Sequence, residues 1–255
     1  MIIFQSMQGC LRAMLLALAT IGTATDTEVL FSAEQPGSVP RQAVGEIIHD
    51  YILKHPDVIL ESMRLLRERQ RTAEKERARE AIIARREELL HDPTSPTGGN
   101  RAGDITIVEF FDYCCPHCKA ALGTVKKLLQ DDSNLRFVYK EFPVLGEESL
   151  LVAKAALAAH GQDRYLPFHE ALMESAQPLT MPVVLQIAKI VGLDVEELKA
   201  QMEAPEITPI TEKNRALARS LGISGTPAFV IGSELVPGAV DYPSFKELVT
   251  RELSK

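Results

Sequence analysis

The feature that most constrains this chain is the stretch Val108-Glu109-Phe110-Phe111-Asp112-Tyr113-Cys114-Cys115-Pro116-His117-Cys118-Lys119. Aromatic and β-branched residues, which suit a buried strand, run from Ile105 to Phe111 and lead into Cys-Pro-His-Cys. A helical apolar pattern then follows over Pro116–Gln130 through Ala121, Leu122, Val125, Leu128 and Leu129. Leu135–Lys140 alternates and reads as a second strand, so the segment is a β-α-β unit with a parallel pair expected. Two thiols two residues apart at a strand-to-helix turn serve either as a thiol–disulfide exchange pair or as half of a metal site.

The rest of the chain bears on that choice. In Met1–Gly22 the only charge is Arg12, and a short apolar run, Ala13–Ala19, precedes the small residues Gly22-Thr23-Ala24. This is the layout of a secretory signal peptide over residues 1–24, with an apolar run too short for a membrane span. Cys10 lies before the apolar run and would leave with the signal. Export leaves Cys114, Cys115 and Cys118, all within five positions. A structural disulfide framework would spread cysteines along the chain; one cluster in an oxidising compartment reads as a reactive site. The net charge of −7 lacks the basic footprint of a nucleic-acid binder.

Residues 25–40 read as a flexible leader. From Arg41, Val44, Ile47, Ile48, Tyr51 and Ile52 form one apolar helical face. Pro56 suits the first turn of a second helix reaching about Leu90. Its Arg67–Glu88 portion interleaves Arg, Lys and Glu and carries no unbroken heptad. Residues 41–91 are therefore expected to be an N-terminal helical segment that joins subunits. Residues 92–103, with Asp92-Pro93, Ser95-Pro96 and Gly98-Gly99, read as a linker. Residues 104–255 form the main domain. It carries a helical insertion at about 147–221, then a strand near Pro227–Ile231 with Glu234–Val236 pairing across Gly232-Ser233, and a closing helix over Tyr242–Glu252. The fold class is α/β.

Cys115 lies at the first turn of the predicted helix, where backbone N–H groups and the helix dipole favour an anion. It is the candidate nucleophile, with Cys118 one turn further in as the resolving thiol. His117 between them can add positive charge or a hydrogen bond. Glu109, on a strand expected to be buried, is either a satisfied carboxylate at a sheet end or an acid that exchanges protons with Cys118. Gly225-Thr226-Pro227 is compatible with a simple turn into a strand or with a cis peptide; beside the cysteines, Thr226 would offer backbone groups to an extended substrate. His91, His160 and His169 read as surface or satisfied histidines. In the competing readings, Cys114, Cys115, His117 and Cys118 act as soft ligands for copper or zinc, or the helical stalk is the working part. The cluster lacks the second ligand pair usual for structural zinc, and no metal site is assigned.

Glu109-Phe110-Phe111, Cys115-Pro116-His117-Cys118, the helical insertion and Gly225-Thr226-Pro227 together resemble the DsbA family of thioredoxin-fold thiol–disulfide oxidoreductases, over roughly Asp104–Lys255. Phe111-Asp112-Tyr113, Lys140-Glu141-Phe142-Pro143 and the N-terminal helices look more like its ScsC-type subgroup. The resemblance implies a thioredoxin fold with a helical insertion and a periplasmic location. It also implies a redox-active Cys115–Cys118 disulfide needing no other cofactor, and it assigns Pro116 and His117 to the redox motif, Glu109 to a buried acid and Pro227 to a cis-proline. The implied partners are exported protein substrates and a membrane redox partner, either a quinone-linked oxidase or a reductase. The helical extension implies a homo-oligomer, trimer or dimer, and oligomers of this kind can act as isomerases. Cys114 departs from the family motif and reads as a packed, inert thiol.

Overall fold

The computed structural model describes residues 40–254. The signal peptide expected over 1–24 and almost all of the leader expected over 25–40 lie outside the described residues. Five strands, β1 (Thr97–Gly99), β2 (Ile105–Phe111), β3 (Leu135–Glu141), β4 (Ala228–Ile231) and β5 (Glu234–Pro237), form one sheet in the order β1-β3-β2-β4-β5. β2 is central. It pairs in parallel with β3, as the β-α-β reading requires, and antiparallel with β4. The crossover is helix α4 (Pro116–Asp131), whose apolar stripe buries Cys118, Ala121, Val125 and Leu128.

In a strand, alternate residues face opposite sides, and here each side has its own core. Ile105, Ile107 and Phe111 of β2 and Leu135, Phe137 and Tyr139 of β3 pack with α4 and the insertion helices α5 (Glu147–His160), α6 (Tyr165–Glu174), α7 (Met181–Ile190) and α8 (Val195–Met202). Phe245 and Val249 of α10 (Tyr242–Leu253) join this core. Val108, Phe110 and Val138 face the other way, onto Leu217 and Ala218 of α9 (Ile207–Ser220). The mixed sheet with its helical insertion is a thioredoxin-like arrangement.

The chain divides into two compact units, one ending at Pro56 and one starting at Asp57. In the first, α1 (Arg41–Lys54) buries none of its residues, and Val44, Ile47, Ile48 and Tyr51 are exposed. In the second, the expected single helix to Leu90 is divided into α2 (Asp57–Ala84) and α3 (Arg86–Leu90). The break at Arg85 turns Leu89 inward, and Ile82 and Leu89 join the core under α9. The early part of α2 leaves Ile59, Leu60, Met63, Leu65 and Leu66 exposed.

The stretch expected as a linker is part of the sheet. β1 pairs antiparallel with β3, with Gly98 opposite Phe137. Gly98-Gly99 reads as a flexible joint from composition, but a Cβ at Gly98 would sit 3.2 Å from the Tyr139 ring, and Gly99 has φ +67. The glycines are there for close approach and backbone conformation. The same segment is anchored by Lys140, fully buried on the α9 side. Its Nζ donates to Glu88 O at 2.7 Å, Ser95 Oγ at 2.7 Å and Asp92 Oδ2 at 3.2 Å. Among the described residues no helix is long and apolar enough to cross a membrane.

Candidate redox site

β2 carries the chain to the turn Asp112–Cys115, and α4 starts directly after it. Cys115 is the residue before the helix and Pro116 its first residue, where the missing N–H costs nothing and the fixed φ suits the helix. Cys115 is 4% exposed and Cys118 1%, whereas Pro116 and His117 are exposed and Cys114 is half-buried. Both thiols are buried, so burial alone does not separate the expected nucleophile, Cys115, from the expected resolving thiol, Cys118.

The chain brings Thr226 to Cys115 across 111 positions: the Cys115 thiol donates to Thr226 O at 3.3 Å. The Thr226–Pro227 peptide is cis. Pro227 leads directly into β4, and its carbonyl accepts from the Gly238 N–H at 2.8 Å. Thr226 is thus a wall of the cysteine turn.

Glu109 lies on β2 between Tyr139 of β3 and Phe229 of β4. By alternation it shares the sheet face of Ile107 and Phe111, the face packed by α4 and Cys118. It is 4% exposed, and no cation faces it among the described ion pairs. Desolvation pushes its carboxyl up to about 8. Burial pushes the Cys118 thiol well above its ordinary range, and ionised Glu109 adds to that push.

The raised Glu109 value has a stability consequence. Between about pH 4.5 and about 8 the unfolded chain has lost this proton and the folded chain keeps it. The unfolded state binds fewer protons there, so stability falls as pH rises through the window. Glu109→Gln removes the slope and raises stability at neutral pH by on the order of 3 kcal/mol. Urea unfolding at pH 5 and pH 8 checks this: the wild type loses stability between the two, and the variant loses less.

Two groups at the turn were not read from the sequence as site residues. Asp112, 1% exposed, accepts at Oδ1 from the Cys114 N–H (2.8 Å) and the Ser149 hydroxyl (2.8 Å). At Oδ2 it accepts from the N–H groups of Val144 (2.8 Å) and Leu145 (3.1 Å). One carboxylate therefore ties the cysteine turn to the loop after β3 and to α5. Tyr113, the next residue, points its hydroxyl into a buried polar group. That hydroxyl lies 3.1 Å from Glu141 Oε1 and 3.0 Å from His169 Nδ1, and the Tyr165 hydroxyl lies 2.7 Å from the same Glu141 oxygen. In sequence, Asp112 and Tyr113 stand out only as neighbours of the cysteines and as part of the subgroup-like Phe111-Asp112-Tyr113, with no role attached. His169 is satisfied in the core, as expected, while His91 is exposed and His160 half-buried. Among the described residues no group of three or more His, Cys, Asp or Glu side chains is arranged to hold a metal ion.

Comparison with known proteins adds relatives to this geometry. The family described as DSBA-like thioredoxin domain matches residues 106–250, and that described as copper resistance protein ScsC N-terminal domain matches residues 41–73. A thioredoxin-like oxidoreductase from Silicibacter pomeroyi DSS-3 is 46% identical and superposes with a TM-score of 0.65, covering 67% of this chain and 98% of its own. A linker-deleted variant of Proteus mirabilis ScsC is 25% identical, with a TM-score of 0.66, over 86% of this chain and 99% of its own. A probable disulfide bond formation protein D from Bacillus anthracis is 26% identical over 181 residues, which is 66% of this chain and 82% of that protein.

Proposed function

Since this chain belongs to the DsbA-like family of thioredoxin-domain thiol–disulfide oxidoreductases, with an ScsC-type N-terminal domain, we propose that its own activity is disulfide exchange with exported proteins through Cys115 and Cys118. The observation that carries the reading is the contact of the Cys115 thiol with Thr226 O beside a cis Pro227. It leaves an extended substrate a backbone edge next to the reacting sulfur.

In the oxidising direction, a substrate thiolate attacks Sγ of Cys115 in the Cys115–Cys118 disulfide. A substrate–Cys115 bond forms, the Cys115–Cys118 bond breaks, and Cys118 leaves as a thiolate that takes the proton held by Glu109. A second substrate thiolate then attacks the substrate sulfur of the mixed disulfide and releases Cys115. Two electrons pass from the substrate dithiol to the pair, and a membrane redox partner resets it. His117, exposed beside the pair, is the candidate to support the Cys115 thiolate, by charge or by a hydrogen bond. The setting is the periplasm, reached through the signal peptide over residues 1–24.

The exposed apolar residues of α1 and of the early part of α2 support a homo-oligomer built through the helical segment. An oligomer presents several redox pairs to one misfolded chain, which favours reshuffling over simple insertion of disulfides. The test removes residues 40–72 and retains Ile82 and Leu89, because those two belong to the core under α9. The full-length protein is expected to be a dimer or trimer in sedimentation and to unscramble oxidised ribonuclease. The shortened protein is expected to be a monomer that still oxidises a dithiol peptide and no longer unscrambles. A full-length monomer defeats the isomerase reading.

A further inference from the structure

The disulfide reaction uses Glu109 and leaves a second buried acid unexplained. Glu141 ends β3 on the same sheet face as Tyr139, 1% exposed. Its Oε1 meets the hydroxyls of Tyr113 and Tyr165, and its Oε2 has no partner. The titratable groups around it are Glu109, Asp112 and Tyr113 from β2 and the turn, Tyr139 from β3, and Tyr165 and His169 from α6. Lys140, the adjacent residue, faces the opposite side of the sheet and is committed to Asp92. Among the described residues no cation pairs with Glu141.

Two hydrogen-bond directions fit the distances. In one, Tyr113 and Tyr165 both donate to an ionised Glu141, and His169 donates from Nδ1 to Tyr113. That leaves a buried anion with one oxygen bare and no counter-charge, the costliest arrangement for a carboxylate. In the other, Tyr165 donates to Glu141, a protonated Glu141 donates to Tyr113, and Tyr113 donates to Nδ1 of a neutral His169. Every hydroxyl proton then has an acceptor, and the bare oxygen belongs to an uncharged acid. Burial acts the same way on both ends: it pushes the Glu141 carboxyl well up and brings His169 down to about 3. The rings enforce the geometry, since Tyr165 stacks on His169 at 5.6 Å and Phe111 meets His169 edge-on at 5.0 Å.

We propose that Tyr113 is a positioning residue of the redox site: a single directed chain, Tyr165 to Glu141 to Tyr113 to His169, ties the turn bearing Cys115 to helix α6. The turn is then held at two adjacent residues, by its backbone through Asp112 and by a side chain through Tyr113. The chain fixes where the Cys115 sulfur stands relative to Thr226. Its part in catalysis rests on the exchange reading of Cys115 and Cys118; its direction does not.

Nitrogen NMR of His169 in the wild-type protein at pH 7 reads the direction. The chain predicts a pyridine-type Nδ1 and a protonated Nε2; a protonated Nδ1 overturns it. Tyr113→Phe removes the bridging hydroxyl and keeps the ring. It is expected to lower kcat for exchange with a dithiol peptide roughly twofold to tenfold, about what one hydrogen bond contributes, at unchanged KM. A variant that folds, as judged by circular dichroism, and keeps the wild-type kcat overturns the positioning role. A wild-type protein that fails to exchange, with His169 showing the predicted tautomer, defeats the redox reading and leaves the chain standing.

Discussion

Cys115→Ser is expected to abolish disulfide exchange, by a factor of about a thousand or more, while leaving the fold intact. The size follows from the chemistry: at neutral pH a serine hydroxyl supplies almost no anion, whereas the thiolate is the attacking and leaving species throughout the cycle. The fold survives because the exchange of sulfur for oxygen is small and the hydroxyl can still donate to Thr226 O. Cys118→Ser behaves differently. Cys115 still attacks a substrate disulfide, but the mixed disulfide has no internal thiol to resolve it, so a covalent adduct accumulates. Cys114→Ser serves as the control. Its thiol is half-buried and makes no hydrogen bond among those described, so exchange is expected to stay within about twofold of wild type. Intact-mass measurement after mixing with a disulfide peptide separates the three: no adduct, a persistent adduct, and turnover.

The second large effect lies on the other side of the sheet. Asp92→Ala leaves Lys140 fully buried with its charge uncompensated, and removing one partner of a buried pair costs about 3–5 kcal/mol. Asp92 also accepts from the Thr94 N–H (3.1 Å) and hydroxyl (2.7 Å) and pairs with Lys213 at 3.1 Å, so the loss extends to the whole stretch before β1. Burial alone would raise the Asp92 carboxyl; Thr94 and Lys140 outweigh it and hold it below the usual carboxylate range. A folded value below the unfolded one contributes stability above about pH 4, lost as pH falls further. Urea unfolding at pH 7 is expected to show the full deficit in the variant, and the gap to wild type is expected to narrow as the pH drops below about 4. Lys140→Met added to Asp92→Ala is the informative partner: it removes the uncompensated charge, and because replacing both members of a buried pair by apolar side chains is often tolerated, the double variant is expected to recover part of the deficit.

What could be read from the chain and what could not follow from how far apart the contacting residues are. The β-α-β unit, the β4–β5 hairpin and the insertion helices announce themselves through local periodicity and nearby Gly and Pro. The cysteine pair is equally local. Glu109 needed only the inference that its strand is buried. The resemblance to a known family supplied the cis Pro227, because no local feature of Gly225-Thr226-Pro227 separates a cis bond from a plain turn. The Tyr113–Glu141–His169 group was hidden because its hydrogen bonds join residues 28 and 56 positions apart. Lys140 and Asp92, 48 positions apart, look like surface charges in a sequence. Gly98-Gly99 misled for a physical reason: glycine serves both joints and close approaches, and only Tyr139 across the pairing tells which. The break at Arg85 had no marker, since Arg67–Glu88 favours helix throughout and the turn is imposed by Leu89 entering the core.

The proposed activity requires Cys115 and Cys118 to be one two-electron redox couple. It is tested most directly by equilibrating the wild-type protein across glutathione buffers of graded potential, trapping free thiols by alkylation and mapping them by peptide mass. Cys115 and Cys118 are expected to lose and regain reactivity together along a single two-electron curve, with Cys114 alkylated at every potential. Pairing of Cys114 with either neighbour, or Cys115 and Cys118 remaining free thiols across the whole range, would contradict it.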